Sequence, residues 1–172
     1  MLIDVLRHLL RNQYEASLCT LAHCVERCPE SSWNTLIAKY PFSQVVFHTL
    51  IFADFYLGAD ERSFFEQEFH LENKDLFGDY EQLKDQEPTS VYSRGQIRMY
   101  TDFCRAKAIS TMASETEQSL SARFERRGFT RAELHLYNIR HIQHHAAQLI
   151  LRLRCDANVD VPWIGSGWRE IS

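Results

Sequence analysis

Four long stretches of apolar residues at helical spacing, with few breaks inside them, most constrain the fold of this chain. Apolar residues that recur every three or four positions lie on one face of an α-helix. The 172 residues include only 6 glycines and 4 prolines, fewer than a turn-rich β fold would use. The pattern therefore predicts an all-α fold whose four long helices span about residues 2–28, 41–57, 93–114 and 130–154.

The fourth of these helices has a complete start signal. Thr130 and Glu133 have the spacing of a capping box, in which each side chain accepts a hydrogen bond from the other residue's backbone. Phe129 and Leu134 stand where a hydrophobic staple places its two apolar residues. The signal predicts a helix whose N-terminal cap is Thr130.

The connection between the second and third helices, residues 59–90, is long and acidic, with ten acidic and three basic side chains. Connections of this length usually have structure or function of their own. We interpret the charge as a solvated face and expect a short helical turn over residues 63–69, with its phenylalanines packed on the helices. The four helices and their connections predict a single domain over residues 1–172, built as a four-helix bundle. Trp163, in the tail, is expected to pack across one end of it.

Charge and hydropathy argue against two classes of partner. The formal net charge of -4 disfavours a nucleic-acid-binding surface, which usually carries a basic patch. The longest uncharged apolar run, residues 45–53, is far shorter than the ~20 residues that a membrane span requires. Asp4 and Arg7 interrupt the apolar N-terminus, so we expect no signal peptide.

The five cysteines have no framework-like spacing and are typical of free thiols in a reducing cytoplasm, so we expect a cytoplasmic location. Cys24 and Cys28 lie about one helical turn apart, and His23 is adjacent, which would allow a second metal site. Buried thiols that pack as small apolar side chains are the favoured interpretation.

Three histidines are candidates for a metal site. His141 and His145 lie four residues apart in the fourth helix, and side chains at this spacing share one helix face. Two imidazoles can bind one metal ion, but a tight site needs a third ligand. His48 lies within the second helix, where a histidine among apolar neighbours is hydrogen-bonded, metal-bound or exposed in a cavity. The residues alone leave open both a three-histidine metal site and three structural histidines.

Three neutral imidazoles would leave coordination positions open, which is typical of catalytic rather than structural zinc sites. Ile142 follows His141, so the H-E-x-x-H motif of metalloproteases is absent. His144 is interpreted as a surface residue or one that supports the ligands. Polar and aromatic residues of the third and fourth helices are candidates to line a pocket; they are Tyr100, Tyr137, Asn138 and Gln148.

Two segments of the chain resemble the signatures of a known family. Residues 48–57 (HTLIFADFYL) and 140–149 (RHIQHHAAQL) are similar to those of the DinB/YfiT-like superfamily, and the similarity extends in order along most of the chain to the tail at residues 162–163. The resemblance implies an up-up-down-down four-helix bundle with one divalent metal ion. Carried over by position, the residues that would bind the metal are His48, His141 and His145.

The resemblance also implies a range of activities. Members of the family include thiol-dependent S-transferases and isomerases, and hydrolases have been proposed. In the transferases the metal is thought to bind and activate the thiolate of a low-molecular-weight thiol. Homodimers are common in the family. Asp54 fits the family pattern, and we interpret it as structural, through a cap or an interhelix hydrogen bond.

The sequence thus suggests a metal-dependent enzyme of the thiol S-transferase or hydrolase type. Its nucleophile would be a metal-activated thiolate or water, and its substrate a small molecule. Imidazole ligands suit several divalent transition metals, of which zinc and nickel are favoured. The alternative is a non-catalytic helical bundle, either a metal-dependent binding or stress-response module or one whose histidines are structural.

Overall fold

The fold is mostly helical, as predicted. The computed structural model describes residues 2–77, 91–124 and 128–170. The helices in these ranges are α1 (Leu2–Arg27), α2 (Glu30–Trp33), α3 (Phe42–Leu57), α4 (Glu61–Phe65), α5 (Glu68–Glu72), α6 (Lys74–Phe77), α7 (Arg94–Ser114), α8 (Glu117–Ser121) and α9 (Arg131–Ala157). Two antiparallel hairpins pair β1 (Leu36–Ile37) with β2 (Tyr40–Pro41) and β3 (Arg123–Phe124) with β4 (Phe129–Thr130). The long helices α1, α3, α7 and α9 match the four predicted ones. None of the helices described has the length and apolar character needed to cross a membrane.

The N-terminal cap of α9 is Thr130, as predicted, and one of the two hydrogen bonds of the predicted capping box is present. The Thr130 side chain accepts a hydrogen bond from the backbone N–H of Glu133 at 3.2 Å, which satisfies a donor that the helix itself leaves free. The helix continues past its predicted end to Ala157, and Asn158 follows in a left-handed conformation with φ 51°. The middle of this long helix carries two of the candidate histidines.

α1 runs parallel to α9 and antiparallel to α7. The phenol oxygen of Tyr14 lies 3.0 Å from Nδ1 of His135, near the start of α9. Further along both helices, the Cys24 thiol points at the carbonyl of Ala146. Contacts with α7 have the opposite order, because later residues of α1 meet earlier residues of α7. The ion pairs that show this order are Glu15 with Arg105 and Glu26 with Arg98.

α3 runs antiparallel to α9. Asn138, in the first part of α9, donates from Nδ2 to the carbonyl of Ala53, late in α3, at 2.9 Å. Further along α9, the ring of His145 lies 5.0 Å from that of His48, early in α3. Because α1 is parallel to α9 and antiparallel to α7, α3 and α7 point in the same direction.

The up-up-down-down order implied by the resemblance is therefore wrong, since the contacts give the order up, down, down, up. Consecutive helices that point in the same direction need a long crossover connection, and an up-up-down-down order needs two of them. This chain has one long crossover, between α3 and α7. The shorter connections after α1 and after α7 turn the chain back.

The long connection packs on the helices through aromatic side chains. It contains α4, α5 and α6, where the sequence predicted a single short turn. Phe64 is buried, and the ring of Phe69 stacks on Phe103 of α7 at 4.0 Å, so the predicted packing of these phenylalanines is confirmed. The later, acidic part of the connection, residues 78–90, lies outside the described residues.

Asp54 of α3 is fully buried and joins α3 to α7 and to the long connection. Its Oδ2 accepts hydrogen bonds from Nε2 of Gln67 at 3.0 Å and Nε2 of His70 at 2.8 Å. The same oxygen accepts from the phenol of Tyr100 at 2.9 Å, and Oδ1 accepts from the ammonium of Lys107. The predicted interhelix hydrogen bond of Asp54 is confirmed.

Glu115, directly after α7, holds the start of α9. Its carboxylate accepts from Nε of Arg131 at 2.8 Å, from Nε2 of His135 at 3.0 Å and from the hydroxyl of Ser119. A carboxylate only accepts, so Nε2 of His135 carries the hydrogen and its Nδ1 accepts from the phenol of Tyr14. Burial alone would raise the pKa of Glu115, but the three hydrogen bonds and the charge of Arg131 outweigh it and lower the pKa to about 2.

The lowered pKa of Glu115 is expected to make stability depend on pH. The pKa falls from an ordinary 4.5 to about 2 on folding, so the stabilisation is complete above about pH 5 and is lost as the pH falls toward 2. The whole effect is roughly 3 kcal/mol at most. The difference in unfolding free energy between wild type and Glu115→Gln, measured in urea, should shrink from about pH 7 to about pH 3. A difference that is constant over this range would contradict the assignment.

The C-terminal segment differs from the prediction. Trp163 is 80% exposed, so it does not pack across an end of the molecule. Its neighbour Ile164 is buried against Ala16 and Cys19 of α1, which leaves the Trp163 side chain in solvent. The indole that packs is that of Trp168, which is half-buried.

Candidate metal centre

α3 presents one accessible strip, and His48 lies on it. Every residue of this helix is buried except His48 and Phe52, which are half-buried. Because these two residues are four positions apart, they lie on the same face of the helix. The mostly apolar sequence of α3 is therefore buried, and one imidazole is left at the margin, facing α9.

The structure brings His48, His141 and His145 together. One ring nitrogen from each lies within 4.8 Å of the others, and all three residues are half-buried. The ring centroids are 4.8 Å apart for the two α9 histidines, and the His48 centroid is 5.0 Å from that of His145 and 5.7 Å from that of His141. Helical spacing places the α9 pair on one face, and the antiparallel packing of α3 on α9 adds the third ring. These histidines could hold one metal ion.

The donor set suits a divalent transition metal. Neutral imidazole nitrogen is a good ligand for zinc, nickel, copper and iron. Burial is the main cause that lowers the pKa of His145, so its ring is neutral near pH 7 and has a lone pair available. With neutral ligands, a bound divalent ion would keep its full positive charge.

His145 has a hydrogen-bond partner placed to orient its ring. Nδ1 of His145 lies 2.9 Å from Oε1 of Gln148, which is exposed on the same helix. The amide nitrogen of Gln148 lies 3.2 Å from Nε2 of the exposed His144. His144 therefore contacts Gln148, which in turn contacts the candidate ligand His145. This agrees with the interpretation of His144 as a residue that supports the ligands.

Aromatic rings lie on one side of the three candidate metal ligands His48, His141 and His145. The Phe52 ring lies 4.9 Å from that of His48 and 5.9 Å from that of His141. The Tyr56 ring is 6.3 Å from that of His141. Tyr56 was not predicted as a site residue, although Phe52 and Tyr56 follow His48 at successive intervals of four residues, a helical spacing that places all three on one face.

The four residues predicted to line a pocket lie in different places. Gln148 contacts one of the three histidines, His145. Tyr137 contacts Tyr56, with the two ring centroids 5.4 Å apart. Asn138 is buried and binds the backbone of α3, whereas Tyr100 is buried and donates its phenol hydrogen to Asp54. Asn138 and Tyr100 thus hold helices together.

The other histidines have separate surroundings. His70 and His135 are hydrogen-bonded to the buried carboxylates of Asp54 and Glu115. In the part of the chain that the structure describes, no second group of three histidine, cysteine or acidic side chains converges on one point. The alternative metal site at His23, Cys24 and Cys28 is therefore not supported.

Comparison with protein families, with curated proteins and with solved structures finds no match to this chain. The resemblance to the DinB/YfiT-like superfamily stays a prediction from two short segments. The geometry of the three histidines is the observation on which a functional proposal can rest.

Proposed function

We propose that this protein is a DinB-like metal-binding four-helix bundle that acts as a metal-dependent enzyme of the thiol S-transferase or hydrolase type. The observation that carries the proposal is the convergence of His48, His141 and His145, with one nitrogen from each within 4.8 Å of the others. Three convergent imidazoles leave coordination positions open for a substrate or for water.

The bundle in this proposal consists of α1, α3, α7 and α9 as one domain. α1 packs against α7 and α9, and α3 packs against the same two helices. The ligands come from the pair α3 and α9, which are antiparallel neighbours. A site between facing helices of a bundle is a common place for a metal.

A bound divalent ion would lower the pKa of a thiol or of water and thereby supply a nucleophile near neutral pH. His48, His141 and His145 would hold the ion, and zinc or nickel is the favoured metal because all three donors are imidazoles. The half-buried ring of Phe52 lies beside two of the histidines and would limit access of bulk water from that side. The apolar part of a small-molecule substrate would pack on the same ring.

Replacement of His145 is expected to separate function from folding. We expect His145→Ala to reduce metal-dependent turnover by more than about a hundred-fold, because losing a ligand should cost more than losing a residue that supports one. Its far-UV circular dichroism and thermal unfolding without metal should match those of wild type. The assay compares metal-free and zinc- or nickel-loaded protein with a low-molecular-weight thiol plus an alkylating electrophile, and with activated esters.

Gln143→Ala is the matched control, because Gln143 lies on α9 without a described contact to the histidines. The control should retain wild-type turnover. Equal turnover by His145→Ala and wild type would contradict the proposed role. Metal binding without turnover of any substrate would favour the non-catalytic alternative.

A homodimer is part of the same proposal. Leu2, Val5 and Leu9 of α1 are 80%, 60% and 49% exposed, and their spacing places them on one face of the helix. Apolar side chains grouped on one face support association with a second chain.

A further inference from the structure

Gln148 is placed to control which nitrogen of His145 can bind a metal. It follows His145 by three residues on α9, so the two side chains are neighbours on the helix surface. The amide oxygen of Gln148 lies 2.9 Å from Nδ1 of His145. No other hydrogen-bond partner of His145 is found among the residues described.

This contact selects a tautomer. A neutral imidazole carries its hydrogen on one nitrogen and a lone pair on the other. The amide oxygen of Gln148 can only accept, so Nδ1 of His145 carries the hydrogen and donates it. Nε2 of His145 is then left with the lone pair, which is what a metal ion requires.

A second contact holds the amide in the required orientation. Nε2 of Gln148 lies 3.2 Å from Nε2 of His144. The amide nitrogen can only donate, so it donates to the lone pair of His144. If the amide were turned around, its N–H would face Nδ1 of His145 and favour the tautomer with hydrogen on Nε2, which cannot bind a metal through that atom.

We propose that Gln148 is a positioning residue that keeps His145 in its metal-binding tautomer, and that His144 in turn holds the Gln148 amide. The inference rests on the proposed function, because it assigns Gln148 a role at the same metal centre. Metal-bound histidines commonly donate their second N–H to such a partner, and loss of the partner typically costs about 10–100-fold in affinity.

The binding test uses zinc ion alone, in competition with a chromophoric chelator. Gln148→Ala should raise the Kd for zinc by about 10–100-fold. Gln148→Glu, which keeps an acceptor oxygen at this position, should bind at least as tightly as wild type. His144→Ala should fall between wild type and Gln148→Ala, and Gln143→Ala should bind as wild type does.

The tautomer itself is tested in the metal-free protein by ¹⁵N NMR of the imidazole rings. His145 should carry its hydrogen on Nδ1 in wild type and in Gln148→Glu, and should be a mixture of tautomers in Gln148→Ala. A residue that only stabilised the helix would not change this signal. Hydrogen on Nε2 of His145 in the metal-free wild type would overturn the inference.

The two proposals fail in different ways. Equal zinc affinity of wild type and Gln148→Ala would overturn the role of Gln148 and leave the metal centre in place. If wild type binds no zinc, the metal centre is overturned, and the role of Gln148 falls with it whatever the tautomer.

Discussion

Replacing Asp54 with alanine is expected to lower the free energy of unfolding by about 3–5 kcal/mol, the usual cost of removing one partner from a buried ion pair. The carboxylate is fully buried and accepts from four donors. Without it, the mostly buried Lys107 ammonium would lose its counter-ion, and the phenol of Tyr100 would lose its acceptor. Because small domains have only about 5–15 kcal/mol of stability in all, this is a severe loss.

Urea unfolding followed by circular dichroism measures this loss, with Asp102→Ala as the matched control. Asp102 is exposed on α7, so its replacement should change stability by less than about 0.5 kcal/mol. A change below about 1 kcal/mol for Asp54→Ala would contradict the assigned role, since losses of that size are ordinary for single substitutions.

The long helices could be predicted because their signals are local. The hydroxyl of Thr130 caps a backbone N–H three residues away, and the apolar spacing depends on one helix at a time. The end of α9 is also local, since Asn158 tolerates the left-handed conformation better than most residues. That signal was available in the sequence but did not enter the prediction.

The grouping of the three candidate metal ligands could be predicted only in part from the residues. His141 and His145 share a face because they are one helical turn apart, whatever the rest of the chain does. The meeting of His48 with them depends on which face of α3 packs against α9. The residues alone left this open, the family resemblance indicated it, and the structure places the three rings together.

Long-range partners could not be read from the sequence. Asp54 accepts from residues on α7 and on the connection after α3, and nothing in the local spacing identifies those donors. Tyr100 illustrates the same limit, because its selection as a pocket residue did not account for Asp54 as its partner.

The directions of the four long helices follow from the connection lengths, since a single long crossover permits only one pair of consecutive parallel helices.

The largest functional effect is expected at the proposed metal centre. His141 is one of the three candidate ligands, with its ring 4.8 Å from that of His145 and 5.7 Å from that of His48. Replacing it with alanine leaves two imidazoles, which are too few for a tight site. We therefore expect His141→Ala to lose its metal on purification while keeping its helical content.

The most direct test is the metal content of the protein purified without a histidine tag, wild type beside His141→Ala. The three-histidine site predicts about one equivalent of zinc or nickel in wild type and less than about a tenth of that in the variant. Absence of metal from both proteins, even after incubation with zinc and nickel, would contradict the metal centre. Equal metal in both would show that a metal binds at a site that does not need His141.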